Sequence, residues 1–493
     1  MKKYLYSIAV NLFFIVPVFS QSVGIIDFMR LNPYSNLNNP ANFIPYNGYI
    51  AIPAISNINL SIYNSDLFYK NIIEINADWK PTLNLDKFAK SSVKNNWLNT
   101  GASIELLGFG FRIKKSFFSF NYRLIVDGNF KYSKDFFGFL LYDDLAKEKN
   151  GESLYSKNNP AVLDINPNIS IYQELSIGFQ REILKNFYIG LRPKILFGIY
   201  NIKTDNFYAK VYSDPTDYTV FGAYNVSINM ASAIPFYNTQ ETFSLNTPKF
   251  NTKQDILNLM NDCFSKNLGF AIDFGAVFRI NQHFRVSASV TDLGFIKWKG
   301  SPINMSIKPL NNGEYTTISD LTTKQVVTSF KNGISIDFDS IANFTLKEIP
   351  SYKSMLTSKI MVDGCIDFTP SHRLILQCKG YILGKDFIPQ LTVAYNGTFL
   401  NLIDLVVSYS ILKNSYSNLG VGFGVRLGPV HLYAGTDNVL AAIHLVNAKK
   451  VNATAGLLID FPVSAKVKES NLKCLFPKNK RTTNSEPVKE TVD

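Results

Sequence analysis

Ionisable side chains recur along this 493-residue chain at every second position of otherwise apolar stretches. Arg123 and Asp127 do so in FSFNYRLIVDGNFKY, and Arg192 and Lys194 in NFYIGLRPKILFGI. Asp273, Arg279, Arg285 and Asp292 follow within residues 268–298, and Asp363, Asp404 and Arg426 come later. Such groups could serve acid–base chemistry, pair with one another, or line a polar conduit. Catalysis needs further signatures, and no HExxH, GxSxG or phosphate-binding loop is present. His283, His372, His431 and His444 are scattered, and Cys263, Cys365, Cys378 and Cys474 show no CxxC or Cys/His metal spacing. No enzyme, metal or cofactor is expected. Gly420-x-Gly422-x-Gly424 has the wrong spacing for a nucleotide loop. These three glycines share the lumenal face of a strand, so close packing against something inside the barrel, or taper, is expected rather than phosphate binding.

The elements that carry these residues are legible from their period. In residues 268–298, Phe270, Ile272, Phe274, Ala276, Phe278 and Ile280 alternate with more polar positions. After Asn281-Gln282-His283 the alternation resumes with Phe284, Val286, Ala288 and Val290 against Arg285, Ser287, Ser289 and Thr291. A two-residue period means strands with one apolar and one wet face, here an antiparallel hairpin. The pattern repeats at Leu107–Ile113 with Phe118–Tyr132, where Phe120, Tyr122, Leu124 and Val126 oppose Asn121, Arg123, Ile125 and Asp127. Runs of about 9–11 residues suit tilted strands crossing a bilayer. Charges facing lipid cost a few kcal/mol each, so the charged face must be a lumen. The expected fold is all-β: a transmembrane antiparallel barrel of about fourteen strands, an even number between 12 and 16. The aromatic content of 14% suits interfacial girdles. The net charge of +12 reads first as loop lysines, with contact to anionic lipid headgroups or an acidic partner as the functional readings. Nucleic acid is not expected, because no basic stripe is interleaved with stacking aromatics.

Four segments are expected. Residues 1–20 read as a signal peptide, with Lys2 and Lys3 before an apolar core and cleavage near Ser20/Gln21, which directs the chain to the outer membrane of a Gram-negative cell. Residues 21–50 are rich in Asn and Pro around Asn39-Pro40-Ala41 and read as an irregular lead-in or a plug-like segment in the barrel mouth. Residues 51–461 would form the barrel, and the basic stretch 462–493 a disordered periplasmic tail. Within the barrel, a first strand is expected over Ile52–Tyr63, a short helix around Asp86–Trp97, and a long polar loop over 133–168. A polar excursion is expected over 204–266, with Ile256, Leu259, Met260 and Cys263 on one side of a loop helix. Pro193 cannot donate to a ladder, so a bulge or a missing hydrogen bond is expected there. Cys365 and Cys378 fall on opposite faces of a hairpin, and no disulfide between them is expected.

The Asn39-Pro40-Ala41 element resembles the start of FadL-like and PorV-like outer-membrane barrels. The stretches YIGLRPKILFGI (188–199), LGFAIDFGAVF with VSASVTDLGFIKW (268–298) and VGFGVRLGPVHLYAGTDNVL (421–440) are similar to a large uncharacterised family of such barrels in Bacteroidota. The FadL-like resemblance implies a plugged fourteen-stranded barrel that binds or passes small hydrophobic compounds. The PorV-like resemblance implies an interaction barrel working with a periplasmic or secretion-system protein, in type IX secretion, gliding or envelope assembly.

Overall fold

Strand pairing in this protein runs round a ring and returns to its start. The computed structural model describes residues 24–65, 95–135, 156–213, 220–233, 261–307, 344–384, 386–400, 402–412, 415–443 and 449–462, with short pieces at 73–75, 81–83, 148–149, 152–153, 237–238, 244–245 and 316–317. In chain order the wall strands begin with β1 (Tyr46–Ala51), β2 (Ile58–Asn64), β3 (Asn95–Ile113), β4 (Ser116–Ser133), β5 (Ala161–Leu184) and β6 (Phe187–Ser213). They continue with β7 (Val220–Ser232), β8 (Leu268–Arg279), β9 (Phe284–Trp298), β10 (Ile303–Ile307), β11 (Phe344–Glu348), β12 (Tyr352–Met355) and β13 (Ser358–Thr369). The last are β14 (His372–Leu383), β15 (Asp386–Phe399), β16 (Ile403–Leu412), β17 (Ser415–Leu427), β18 (Val430–Thr436) and β19 (Lys450–Pro462).

β1 and β2 form one interrupted stave, since each pairs with β3 on one side and β19 on the other. β12 and β13 likewise share one stave against β9. With these joined, neighbours run β1/β2–β3–β4–β5–β6–β8–β9–β12/β13–β14–β15–β16–β17–β18–β19 and back to β1/β2, all antiparallel: a closed ring of fourteen staves. Closure leaves no unpaired edge, which lipid would not tolerate. Phe109, Phe274, Leu376, Val407 and Phe423 stand exposed, while inward neighbours such as Ile375, Ala394 and Val406 are buried. An exposed apolar band round a closed barrel is the surface of a membrane-spanning wall. Among the described residues no helix is long and apolar enough to cross a membrane.

One end of the barrel carries short turns, at Lys114-Lys115, Lys185-Asn186, Pro370-Ser371 and Gly428-Pro429. The other end mixes long connections with two short ones, between Leu383 and Asp386 and between Leu412 and Ser415.

Several expectations are corrected. The first stave starts at Tyr46 rather than Ile52 and breaks at 52–57, where Ser56 Oγ donates to Leu457 O (2.8 Å) and Ala54 takes φ 64°. Trp97 lies in β3, not in a helix; residues 84–94 lie outside the described ones. β5 already begins at Ala161, inside the expected 133–168 loop. The polar excursion after 204 is partly wall, because β6 runs on to Ser213 and pairs there with β7. Beyond the bilayer both faces of a strand meet water, so the two-residue period that marks a strand fades. Of the expected loop helix only 261–265 is described as helical; Cys263 is buried there, and Ile256, Leu259 and Met260 lie outside the described residues. At Pro193 the register against β8 is unbroken, while pairing with β5 skips from Leu191 to Lys194 without a shift. Missing ladder contacts, not a bulge, accommodate the proline. Cys365 is buried and Cys378 exposed, on opposite faces of the β13–β14 hairpin.

β6 changes partner part-way up. Its lower half pairs with β8 as far as Phe197↔Leu268, and its upper half pairs with β7 from Tyr200↔Ser232. Asn267 closes the fork with its side chain: Nδ2 donates to Gly198 O (3.0 Å), and Oδ1 accepts from Lys299 N (2.8 Å) and Gly300 N (2.7 Å). Three backbone groups that would otherwise lack partners are thereby paired.

The outward placement of Val407 generates a prediction. Val407→Arg should destabilise the refolded barrel in bilayers by about 2–4 kcal/mol, measured by denaturant titration. A cost indistinguishable from zero would mean that this face does not meet lipid.

Candidate functional site

The barrel interior is occupied by the chain's own N-terminal residues. Gly24 to Pro45 contain two short 3₁₀ turns, Ile25–Phe28 and Pro33–Leu37. The second is started by Asn32, whose side chain accepts from Tyr34 N (2.9 Å), with Pro33 at the first helical position, where a missing N–H costs nothing. Ile25, Ile26, Phe28, Met29 and Leu37 are buried against Phe117, Cys365, Ile375, Ala394, Val406 and Leu458, which point inward from staves on opposite sides of the ring. Each such side chain contributes about 1.5–3 kcal/mol on burial.

Polar contacts pin this segment to the wall. Leu31 N donates to Asp404 Oδ2 (2.9 Å), and Arg373 Nη2 donates to Phe28 O (2.8 Å). Ser289 Oγ donates to Asn38 O (2.7 Å), and Arg192 Nη1 to Leu37 O (3.2 Å). Asp27 accepts from Asn38 Nδ2 (2.6 Å) and faces Lys379 at 3.8 Å. Burial pushes the Asp27 carboxyl up to about 6, against the opposing pull of Lys379.

Asn39-Pro40-Ala41 makes its own tight turn, with Ala41 N donating to Asn39 Oδ1 (3.0 Å). It rests on two wall glycines. A Cβ at Gly190 would stand 2.1 Å from the Pro40 carbonyl carbon, and one at Gly275 would stand 2.1 Å from Asn39 Oδ1. These two positions form a notch that only glycine permits. On the opposite wall Gly422 faces Ile25 and Met29 in the same way. Gly420 instead faces Ser408 and Asp437, and Gly424 has room for a Cβ. Of the three glycines singled out in the sequence, one abuts the segment.

Beside the segment lies a belt of buried charge. Lys194 Nζ stands 2.6 Å from Asp292, 2.9 Å from Asp273 and 3.5 Å from Glu174. Glu174 accepts from Arg123 (2.5 Å), Lys359 reaches Asp292 (2.9 Å), and Arg192 lies 3.6 Å from Asp273. The belt joins β4, β5, β6, β8, β9 and β13. A bulge builds its centre: pairing jumps from Ile272↔Leu293 to Phe274↔Val290, and Asp292 adopts φ 61° with its N–H on Asp273 Oδ1 (2.7 Å).

The charged residues expected from the sequence therefore divide. Arg123, Arg192, Lys194, Asp273 and Asp292 come together in the belt. Asp127 accepts from Thr357 Oγ1 (2.8 Å) higher up. Arg279 and Arg112 flank the Phe43 ring near the short-turn end, Arg285 lies 3.9 Å from Asp363, and Asp404 binds the segment backbone. Arg426 pairs with Asp460 (2.8 Å) and stacks on Tyr46. Sequence reasoning missed Glu174, Lys359, Arg373 and Lys379. The register pair Arg123↔Glu174 explains why: the partner of a lumen charge is set by strand pairing, not by local spacing.

Removing one member of a buried ion cluster strands the others. Lys194→Met should cost about 3–5 kcal/mol, seen as a lowered denaturation midpoint of the barrel. A change below about 1 kcal/mol would mean that the belt is hydrated.

Three solved structures similar to this chain are a Pseudomonas aeruginosa FadL homologue (8% identity, TM-score 0.42, covering 90% of this chain and 100% of that one), the Ralstonia pickettii toluene transporter TbuX (8%, 0.41, 91% and 100%) and the Pseudomonas putida toluene transporter TodX (8%, 0.37, 88% and 95%). No curated protein matches the chain. The family model described as "Family of unknown function (DUF5723)" matches residues 40–437, most of the chain, and the protein belongs to that family.

Proposed function

We infer that this protein is a non-enzymatic outer-membrane barrel that binds small hydrophobic compounds and lets them pass, with residues 24–45 as an internal plug. The observation that carries the reading is the fit of Asn39-Pro40-Ala41 into the Gly190/Gly275 notch, together with polar pins from several staves onto the segment backbone. A wall that reserves two glycines for one short turn is built to hold that turn. Backbone pins are few enough to exchange for water or a ligand when the segment shifts. In this reading residues 1–20 direct export and the short-turn end faces the periplasm. The alternative of an interaction barrel would place its docking surfaces on the tail and on 204–266. Part of the second stretch is wall, since β6 runs on to Ser213 and pairs with β7; the tail beyond Pro462 lies outside the described residues.

Adding bulk to the notch tests the plug. Gly190→Ala with Gly275→Ala pushes on backbone atoms of the turn and should raise uptake of the hydrophobic dye N-phenyl-1-naphthylamine by cells several-fold over the parent barrel. Uptake unchanged in a correctly assembled variant would sink the plug as the barrier.

A further inference from the structure

The β8–β9 hairpin ends in a pairing that strand ladders avoid. Arg279, the last residue of β8, stands directly opposite Arg285 of β9. Both lie on the inward face, in step with the buried Asp273 and Val277 on β8 and the buried Ser287 and Ser289 on β9. Opposed residues of an antiparallel pair have Cα atoms about 4.5–5.5 Å apart, so both guanidiniums can reach one small ligand. Like charges set face to face destabilise a sheet unless something lies between them. The connecting residues Asn281, Gln282 and His283 are exposed, which puts the pair at the short-turn mouth. The Arg285 side chain retains 22% exposure there, so solvent and solutes reach it.

Among the described residues neither guanidinium is hydrogen-bonded. Arg279 meets two rings, its Cζ 5.8 Å from the Phe43 centroid and 5.6 Å from that of Tyr188. Arg285 Nη2 is 3.9 Å from Asp363 Oδ1, too long for a hydrogen bond, and its Nε is buried without a partner. Asp363 instead accepts from Ser287 Oγ through its other oxygen. Further positive charge gathers round the pair. Arg30, from the internal segment, lies within electrostatic reach of both, and Arg373 within reach of Arg285. Arg30 donates to Pro370 O (2.5 Å) and stands 3.9 Å from Asp367, while Arg373 is engaged by Asn396 and Phe28 O. The third carboxylate in reach, Asp404, is held by neutral donors, Leu31 N, Asn396 Nδ2 and Thr398 Oγ1. Four guanidiniums thus face three carboxylates, and the two that oppose each other lack a close counter-charge.

We propose that Arg279 and Arg285, with Arg30 beside them, bind a small dianionic oxyanion of the phosphate type at the short-turn mouth. Each guanidinium presents a planar fork of N–H donors that matches the oxygens of such an anion. The Phe43 and Tyr188 rings hold the Arg279 fork in place. A monocarboxylate can engage one fork but brings half the charge. Arg30 belongs to residues 24–45, whereas Arg279 and Arg285 belong to the wall, so the bound anion ties the segment to the barrel. Binding goes beyond the passage reading and does not require it.

The mature barrel, in zwitterionic nanodiscs and phosphate-free buffer of fixed ionic strength and mildly alkaline pH, is titrated calorimetrically with inorganic phosphate and separately with acetate, and empty nanodiscs are subtracted. We expect saturable phosphate binding about tenfold or more tighter than that of acetate, weakened about tenfold or more by Arg279→Gln with Arg285→Gln. Arg285→Lys keeps the charge but loses the fork, and should weaken binding several-fold in an assembled barrel. Hydrogen exchange of residues 24–45 should slow with phosphate in the parent and not in Arg30→Gln. Absence of saturable phosphate binding overturns the site, as does acetate binding equally tightly or phosphate binding unchanged in both arginine variants. Phosphate that binds without slowing exchange overturns the tie. The plug reading is judged separately, by the response of dye uptake to the notch substitutions.

Discussion

A chain crossing lipid must pair every backbone N–H and C=O with itself, and here everything else follows from how that is met. Fourteen staves close on one another, so the outer surface can be apolar without presenting an edge. Closure also creates an inside too wide for wall side chains to fill. The protein meets that second condition in three ways at different places: with its N-terminal segment, with the Lys194-centred ion belt, and with the Trp298 cluster. Where the wall itself departs from regular pairing, a side chain restores the account. Asn267 does so at the β6 fork, and Ser56 does so at the break in the first stave.

The segment and the belt divide the interior work. Ile25, Ile26, Phe28 and Met29 supply the apolar core that a soluble fold would draw from packed helices or sheets. The belt contributes differently. Buried ion pairs add little net stability over apolar filling, but each member is costly to remove alone. Six staves are thereby fixed in relative register by one connected set of charges. Register is otherwise prone to slip by two residues wherever a face carries only small polar groups.

The fold was legible where lipid and lumen impose opposite chemistry on alternate residues. Phe270 to Phe278 and Phe284 to Val290 show this, and so do Val407 and its neighbours. Legibility stopped where that contrast stopped. Lys203, Thr204, Asp205 and Asn206 continue β6 beyond the apolar band, and their composition reads as loop. Five belt charges were visible as polar-face residues, yet their partners Glu174 and Lys359 depend on which strand lies alongside. Gly422 was readable as a close approach because it sits on a recognised lumen face. Gly190 and Gly275 looked like ordinary strand glycines, since what they make room for lies some 150 or more residues earlier in the chain. The segment's own Ile25, Ile26, Phe28 and Met29 follow no period, because two single 3₁₀ turns are too short to have one.

The interrupted first stave has a consequence for assembly. It follows directly on the interior segment and forms the seam with the last strand, Gly48 opposite Phe461 and Ile58 opposite Ala455. The chain therefore cannot complete its ring until its final strand has been made and inserted, and the residues that fill the ring are tethered to that seam. Loading the interior and zipping the wall become parts of a single late event. An intermediate lacking β19 would hold both an open sheet edge and an uncovered apolar segment, side by side. Such a species would be exposed to aggregation and dependent on escort until the last strand arrives.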